Sequence, residues 1–286
     1  MTTAVTGATG HLGALVINEL LGRGVAPAEI VAVVRNADKA ADLQAKGVQV
    51  RVADYSDPGA LRAALEGVDK LLLISGSEVG QRIAQHTNVI EAAELADVQL
   101  IAYTSLLKAA TSGIGMAPEH LATEQRLTAS TVPAVFLRNG WYWENFFAAI
   151  PQAVKFGKLF GAAGEGRVAA ATRADYAAAA AAVLTSTDDQ GGKIYELGGN
   201  DRITYAELAD VISEVSGKPV EYQDLPEAAY EAVLLDAGIP EEYATLLAGS
   251  DAGIARGELD TDSGDLQALI GRPSTPVAEA IKPAIG

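Results

Sequence analysis

Cysteine is absent from the 286 residues, which removes disulfides, thiolate metal sites and cysteine nucleophiles together. Histidine is scarce, with three scattered residues, too few to suggest a zinc site. Positive charge is also in short supply: 21 Lys and Arg stand against 37 Asp and Glu, a formal net charge of −16. Such a surface repels nucleic acid and anionic membranes. No apolar run approaches the roughly 20 residues of a membrane-spanning helix. With no charged-then-apolar leader before Thr2, a cytoplasmic chain without membrane or nucleic-acid partners is expected, a homo-oligomer being compatible. The chemistry is left to a bound cofactor or to oxygen and nitrogen side chains.

What is present is a steady alternation. Short β-branched runs at 4–5, 30–34, 48–52, 71–74, 99–103 and 134–137 are separated by helix-length amphipathic segments. Nearly continuous apolar strands recurring in this way belong to a parallel sheet covered by helices on both faces. The spacing predicts a Rossmann-like, doubly wound α/β domain over 1–140, with later segments returning to it, and a smaller, mostly substrate-facing C-terminal lobe over 141–286. Within the second half the pattern predicts helices over 175–184, 205–216 and 227–237 and a strand over 193–197. The alanine run 177–182 reads as a closely packing helix.

The opening stretch Val5-Thr-Gly-Ala-Thr-Gly-His-Leu-Gly13 follows the first strand and opens the first helix. There, glycines permit a tight turn and close backbone approach, and helix N-terminal amides receive a pyrophosphate. Its Gly-x-x-Gly-x-x-Gly spacing differs from the general Gly-x-Gly-x-x-Gly fingerprint and resembles the extended and atypical short-chain dehydrogenase/reductases.

About 20 residues further on, where an acidic residue would bind the ribose 2′-hydroxyl of NAD, the chain has Arg35. A guanidinium suits a 2′-phosphate, which favours NADPH, and Lys39 offers a second charge. The alternative is a surface arginine at a strand end. Asp54 is a candidate for the adenine amino group or an ordinary turn residue, and Ser75-Gly76-Ser77 is either cofactor space or a plain turn.

None of the nine tyrosines has a lysine four residues on, so the proton-donating Tyr-x-x-x-Lys pair is missing. A ketone needs such an acid to trap a basic alkoxide, whereas a quinone yields a stabilised phenolate that water can protonate. In the corresponding region stands Glu119-His120-Leu-Ala-Thr-Glu124. His120 is a candidate to orient nicotinamide or supply a proton, or is an inert helix-surface residue. Glu124 either fixes its orientation or is solvated. Five of the chain's sixteen aromatic residues fall within 141–147, after Arg138-Asn139-Gly140. They read as a pocket wall for a flat ring, with a buried cluster as the alternative. His120 and Tyr142 are the candidate catalytic side chains.

Several segments, Val5–Gly10, Val34–Asn36, Ala53–Tyr55, Leu71–Ser75, Ser77–Gln81, Ile101–Leu107 (Ile-Ala-Tyr-Thr-Ser-Leu-Leu), Leu137–Tyr142 (Leu-Arg-Asn-Gly-Trp-Tyr) and Ala171–Tyr176, together resemble the NADPH:quinone oxidoreductase branch of the NmrA-like, atypical short-chain dehydrogenase/reductases. The resemblance implies that Gly7, Ala8, Thr9, Gly10, His11, Leu12, Gly13, Arg35, Ser75, Gly76, Ser77, Asn139, Gly140, Trp141, Tyr142, Trp143 and Arg173 line an NADPH site. It also implies that a flat, quinone-like electrophile is reduced by direct hydride transfer without flavin. Two alternatives are a reductase of another delocalised electrophile, such as a dye, imine or enone, and a non-catalytic NADP-sensing regulator.

Overall fold

A computed structural model describes residues 1–78 and 80–285; Val79, within the Ser77–Gln81 segment, and Gly286 lie outside the described residues. The chain divides into two compact units. Unit 1 contains 1–106, 118–138 and 173–195, and unit 2 contains 107–117, 139–172 and 196–286.

Unit 1 carries the alternating pattern. In order come β1 (Thr3–Val5), α1 (His11–Gly22), β2 (Ile30–Val34), α2 (Ala41–Ala45), β3 (Gln49–Val52), α3 (Pro58–Leu65), β4 (Lys70–Leu73), α4 (Arg82–Leu95), β5 (Leu100–Leu106), α5 (Ala117–Thr128) and β6 (Ala134–Asn139). After a stretch assigned to unit 2, α7 (Arg173–Thr185) and the start of β8 (Ile194–Leu197) return. The described residues form a seven-stranded sheet in the order β3-β2-β1-β4-β5-β6-β8. β1 runs parallel to both β2 and β4, β2 to β3, and β4 to β5. The order reverses between β1 and β4, the topological switch point beside which such sheets bind ligands at their carboxyl edge.

Alternation along the strands explains the layers. Val31, Val33, Leu71, Leu73 and Ile101 share a buried cluster with Leu61 and Leu65 of α3 and Val89, Ile90 and Ala93 of α4. α1 packs against α7, where Ala177 to Ala181 are all buried. Small side chains let the two helix backbones approach closely, and Arg23, directly after α1, reaches the Ala178 carbonyl at 3.2 Å.

Unit 2 is built differently, which is why the strand–helix period breaks after Arg138. α6 (Ala149–Phe156) leads to β7 (Lys158–Gly161), which pairs in parallel with β9 (Glu221–Asp224) across α8 (Tyr205–Ser216). A reciprocal capping box starts α8, with Thr204 accepting from Glu207 N–H and Glu207 accepting from Thr204 N–H. α9 (Glu227–Asp236) and α10 (Glu241–Ala255) follow. Buried Asp251 of α10 ties the unit together, accepting from Ala162 N–H at 2.9 Å and Tyr205 O–H at 2.7 Å. No helix among the described residues is long and apolar enough to cross a membrane.

Candidate functional site

The turn after β1 is shaped by its glycines. Gly7 has φ +58°, a left-handed conformation that glycine adopts without a Cβ clash. A Cβ on Gly13 would stand 2.4 Å from the Gly7 carbonyl oxygen and 2.8 Å from Ala8 Cα, so the start of α1 lies directly on the turn. The first hydrogen bond at that end of the helix joins Ala14 N–H to the Gly10 carbonyl at 3.0 Å. The amides of His11, Leu12 and Gly13 therefore precede the helical ladder, at its electropositive end.

Beside this turn lies a cavity of about 330 Å³, lined by Gly7, Thr9 and Gly10, by Val33 to Arg35 at the end of β2, by Lys39, by Ala53 to Tyr55 after β3, and by Ile74 to Glu78 and Gln85. All belong to unit 1, and the cavity sits where the carboxyl ends of β1, β2, β3 and β4 meet. Its volume is at the lower end of small-molecule sites. A larger cavity of about 710 Å³ is lined by Thr3, Lys70 and Leu100, at the starts of their strands. This is the opposite edge from the one that binds ligands in open α/β sheets.

Tyr55, a residue the sequence reading did not single out, joins three of the strand ends. Its hydroxyl lies 2.5 Å from Thr6 Oγ1 and 2.8 Å from the Ile74 carbonyl, while Ile74 N–H donates to Thr6 Oγ1 at 3.0 Å. Ser75 N–H donates to Thr104 Oγ1 at 2.9 Å, so the β4 and β5 edges are linked as well. The signal for Tyr55 was its place directly after Asp54 at the end of β3.

Arg35 and Lys39 supply the positive side of the cavity. The Arg35 guanidinium is 2.8 Å from Glu78, both side chains being at least half exposed, and Glu78 also receives Gln85 Nε2 at 2.8 Å. Asp54 accepts from Ser56 N–H at 2.8 Å and from the Ser56 hydroxyl, bonds that hold its carboxyl below the usual range. Asp54 therefore serves its turn and also lines the cavity.

Of the residues expected at the nucleotide, Gly7, Thr9, Gly10, Arg35, Ser75, Gly76 and Ser77 line this cavity. Ala8 is buried, with its N–H on the Val33 carbonyl at 3.3 Å. Leu12 and Gly13 are buried behind the turn, and His11 is exposed at the start of α1. Arg173 opens α7 and is not among the cavity-lining residues. Asn139, Gly140, Trp141, Tyr142 and Trp143 belong to unit 2.

Within the aromatic run Trp141, Trp143 and Phe146 are buried, and Tyr142 and Phe147 are partly exposed. Trp143 is fully buried, 5.8 Å from Phe146 between ring centroids, and the row continues through Tyr205 to Tyr222 at 5.4 and 5.6 Å. Trp143 and Phe146 thus pack within unit 2, where large rings bury much apolar area. Tyr142 is half-buried, and its hydroxyl lies 3.4 Å from Asn139 Nδ2. Among the described residues, Asn139 Oδ1 and Trp143 Nε1 are buried without a hydrogen-bond partner.

Two expectations change. His120 is buried rather than on the helix surface; its Nδ1 is 2.8 Å from the Tyr103 hydroxyl, and burial followed by the nearby Arg82 charge pushes its pKa well below the ordinary histidine value. It is neutral at physiological pH. Glu124 is neither solvated nor bonded to His120. It forms a forked ion pair with Arg138 at 2.6 and 2.9 Å and accepts from Ser105 O–H at 2.6 Å. A guanidinium held largely out of water cannot shed its charge, so it pairs with the buried Glu124 carboxylate.

Residues 1–259 match the NmrA-like family. The chain belongs to that family. Quinone oxidoreductase 2 of Escherichia coli (strain K12) is 52% identical over 278 residues, covering 97% of this chain and 96% of the relative. NAD(P)H azoreductase of Xenophilus azovorans is 29% identical over 290 residues, covering 97% and 96%. The crystal structure of the E. coli NADPH-dependent quinone oxidoreductase complexed with NADPH superposes with a TM-score of 0.97 at 50% identity, covering both chains fully. That of a Citrobacter sp. triphenylmethane reductase complexed with NADP(H) gives 0.95 at 42%, covering 99% of this chain and 100% of that one.

Proposed function

We propose that this protein is an NADPH-dependent oxidoreductase that reduces quinones by two electrons. The observation that carries the reading is the unit 1 cavity: a glycine turn at a topological switch point, directly before the start of α1, with Arg35 and Lys39 in the lining. That combination suits a dinucleotide diphosphate and a 2′-phosphate. The fit is specific to the chain's own backbone, since Gly13 has no room for a Cβ and Gly7 has a positive φ. The 52% identity to Quinone oxidoreductase 2 over nearly the whole chain supports the choice of acceptor.

In this reading His11, Leu12 and Gly13 offer amides to the diphosphate, Arg35 and Lys39 hold the 2′-phosphate, and Tyr55 and Ser75–Ser77 shape the adenosine side. In unit 2, Asn139 is the proposed partner for a ligand N–H, since its buried Oδ1 has an unmet need for a donor. Bound NADPH supplies a hydride, which delivers both electrons to the quinone ring. The chain contributes binding and orientation, which convert an encounter into a near-unimolecular step. His120, neutral and paired with Tyr103, acts through that strand residue as a positioning group. Tyr142, partly exposed, is the proposed polar contact for the acceptor.

The test is anaerobic NADPH oxidation with a panel of quinones, triarylmethane dyes and azo compounds, repeated with NADH. Quinones as the best acceptors, with NADPH preferred, are expected. Binding of NADPH without turnover on any acceptor overturns the enzyme reading, and a dye as the far better acceptor overturns the choice of substrate.

A further inference from the structure

Gly76 lines the cavity, yet both of its backbone polar groups are held by α4. Its N–H donates to His86 Nε2 at 3.0 Å. Its carbonyl accepts from Arg82 Nε at 3.1 Å and Arg82 Nη2 at 2.9 Å. The two peptide planes on either side of Gly76 Cα are therefore fixed by two side chains one helical turn apart, on one face of α4.

The clamp is itself braced. Because the Gly76 amide can only donate, His86 Nε2 is the acceptor and the ring proton resides on Nδ1. Nδ1–H is 3.0 Å from Thr123 Oγ1, which donates in turn to the Glu119 carbonyl at 2.9 Å. Glu119 also pairs through its carboxylate with Arg82 Nη1. Arg82 and His86 are both buried, an uncommon environment for these side chains that is tolerated when their polar atoms are satisfied. Two buried polar side chains spent on one glycine of a loop are unusual unless the position of that loop matters.

We infer that Arg82 and His86 are positioning residues that preset the Ser75–Ser77 wall of the nucleotide cavity through the Gly76 backbone. The inference rests on reading that cavity as the nucleotide site. A preset wall spares the cofactor the cost of ordering it, so the effect appears in affinity.

The experiment uses two isosteric halves of the imidazole. His86→Gln keeps an oxygen where Nε2 stands and loses the Thr123 contact; His86→Asn keeps the Thr123 side and leaves Gly76 N–H without an acceptor. NADPH dissociation constants are measured by fluorescence titration, and Gly76 amide exchange is followed in the unliganded protein. His86→Asn is expected to speed exchange and weaken NADPH binding by about tenfold each, the scale of one unsatisfied buried donor. His86→Gln is expected to stay within about twofold of the parent on both, with thermal stability lowered similarly in the two variants. Equal effects of the two variants on both readouts, or a larger effect of Gln, overturn the inference. If His86→Asn does not fold, Thr123→Val carries the test: freeing the ring should raise Gly76 exchange, and unchanged exchange overturns the clamp. A parent protein that binds no NADPH refutes the nucleotide reading, while the exchange readout still decides whether the clamp exists.

Discussion

Replacing Arg35 by alanine should separate the two nicotinamide cofactors. A hydrogen bond to a charged group is worth about 1.5–3 kcal/mol. The Arg35 side chain is 70% exposed, so solvent screening places its contribution at the lower end, about 1.5 kcal/mol, or roughly tenfold in affinity. A second contribution follows from Glu78, 2.8 Å from Arg35. Once the guanidinium is gone, that carboxylate faces the 2′-phosphate uncompensated, at a cost of no more than about 1 kcal/mol in a water-like dielectric. Together these predict a 10- to 50-fold rise, roughly, in the NADPH dissociation constant, while NADH, lacking the phosphate, changes by less than about twofold. Fluorescence titration of both nucleotides at low and high salt measures this. Arg35→Ala combined with Glu78→Gln should recover the repulsive part, and added salt should shrink the NADPH effect. Equal weakening of NADPH and NADH would refute the 2′-phosphate role outright.

Three further outcomes are expected. Gly13→Ala forces a Cβ to 2.4 Å from one backbone atom and 2.8 Å from another, so chemical denaturation should show a loss of about 1–3 kcal/mol together with weakened NADPH binding; Gly22→Ala in the same helix, with nothing within 4 Å of its Cβ, should instead gain about 0.5 kcal/mol. Glu124→Gln removes the charge from the largely buried Glu124–Arg138 pair and should cost about 3 kcal/mol by denaturation, a loss under 1 kcal/mol arguing that the pair is not needed. Burial raises the Asp251 pKa from 3.8 to about 6, so the folded state holds an extra proton between those values; the stability this contributes is full below about pH 3.8 and is lost as pH rises through 6. Relative to Asp251→Asn, the parent should therefore lose up to about 3 kcal/mol between pH 4 and 8. The buried histidines are common to both proteins and cancel in that difference; a difference that does not vary with pH contradicts the assignment.

How far the sequence could be read depended on which physical signal each residue carried. β2 and α8 coincide with their expected spans, 30–34 and 205–216, because an unbroken β-branched run and an amphipathic helix with a capping box are decided locally. The glycine turn was legible for the same reason. His120 and Glu124 were not: a histidine and a glutamate on a polar-looking helix give no local sign that the neighbouring strands cover that face. Their burial depends on Tyr103, Ser105 and Arg138, which lie between 14 and 19 residues away in sequence. The aromatic run was ambiguous for another reason: ring density marks a pocket wall and a core equally well, and the partners that place Phe146 in a packed row, Tyr205 and Tyr222, lie far along the chain.

His86 and Arg82 carried no motif at all, and this bears on where function resides in such a fold. Gly76 brings no side chain to the cavity, while the groups that fix its backbone are buried polar residues on α4. A glycine in a loop announces where a ligand fits, but it cannot hold itself in place: without a side chain to pack, its position must come from what its N–H and C=O meet. At Gly76 those partners are an imidazole and a guanidinium, each costly to bury and each with its remaining polar atoms engaged by Thr123 or Glu119. Neither His86 nor Arg82 lines the cavity, so both act on it through the backbone of the residue that does.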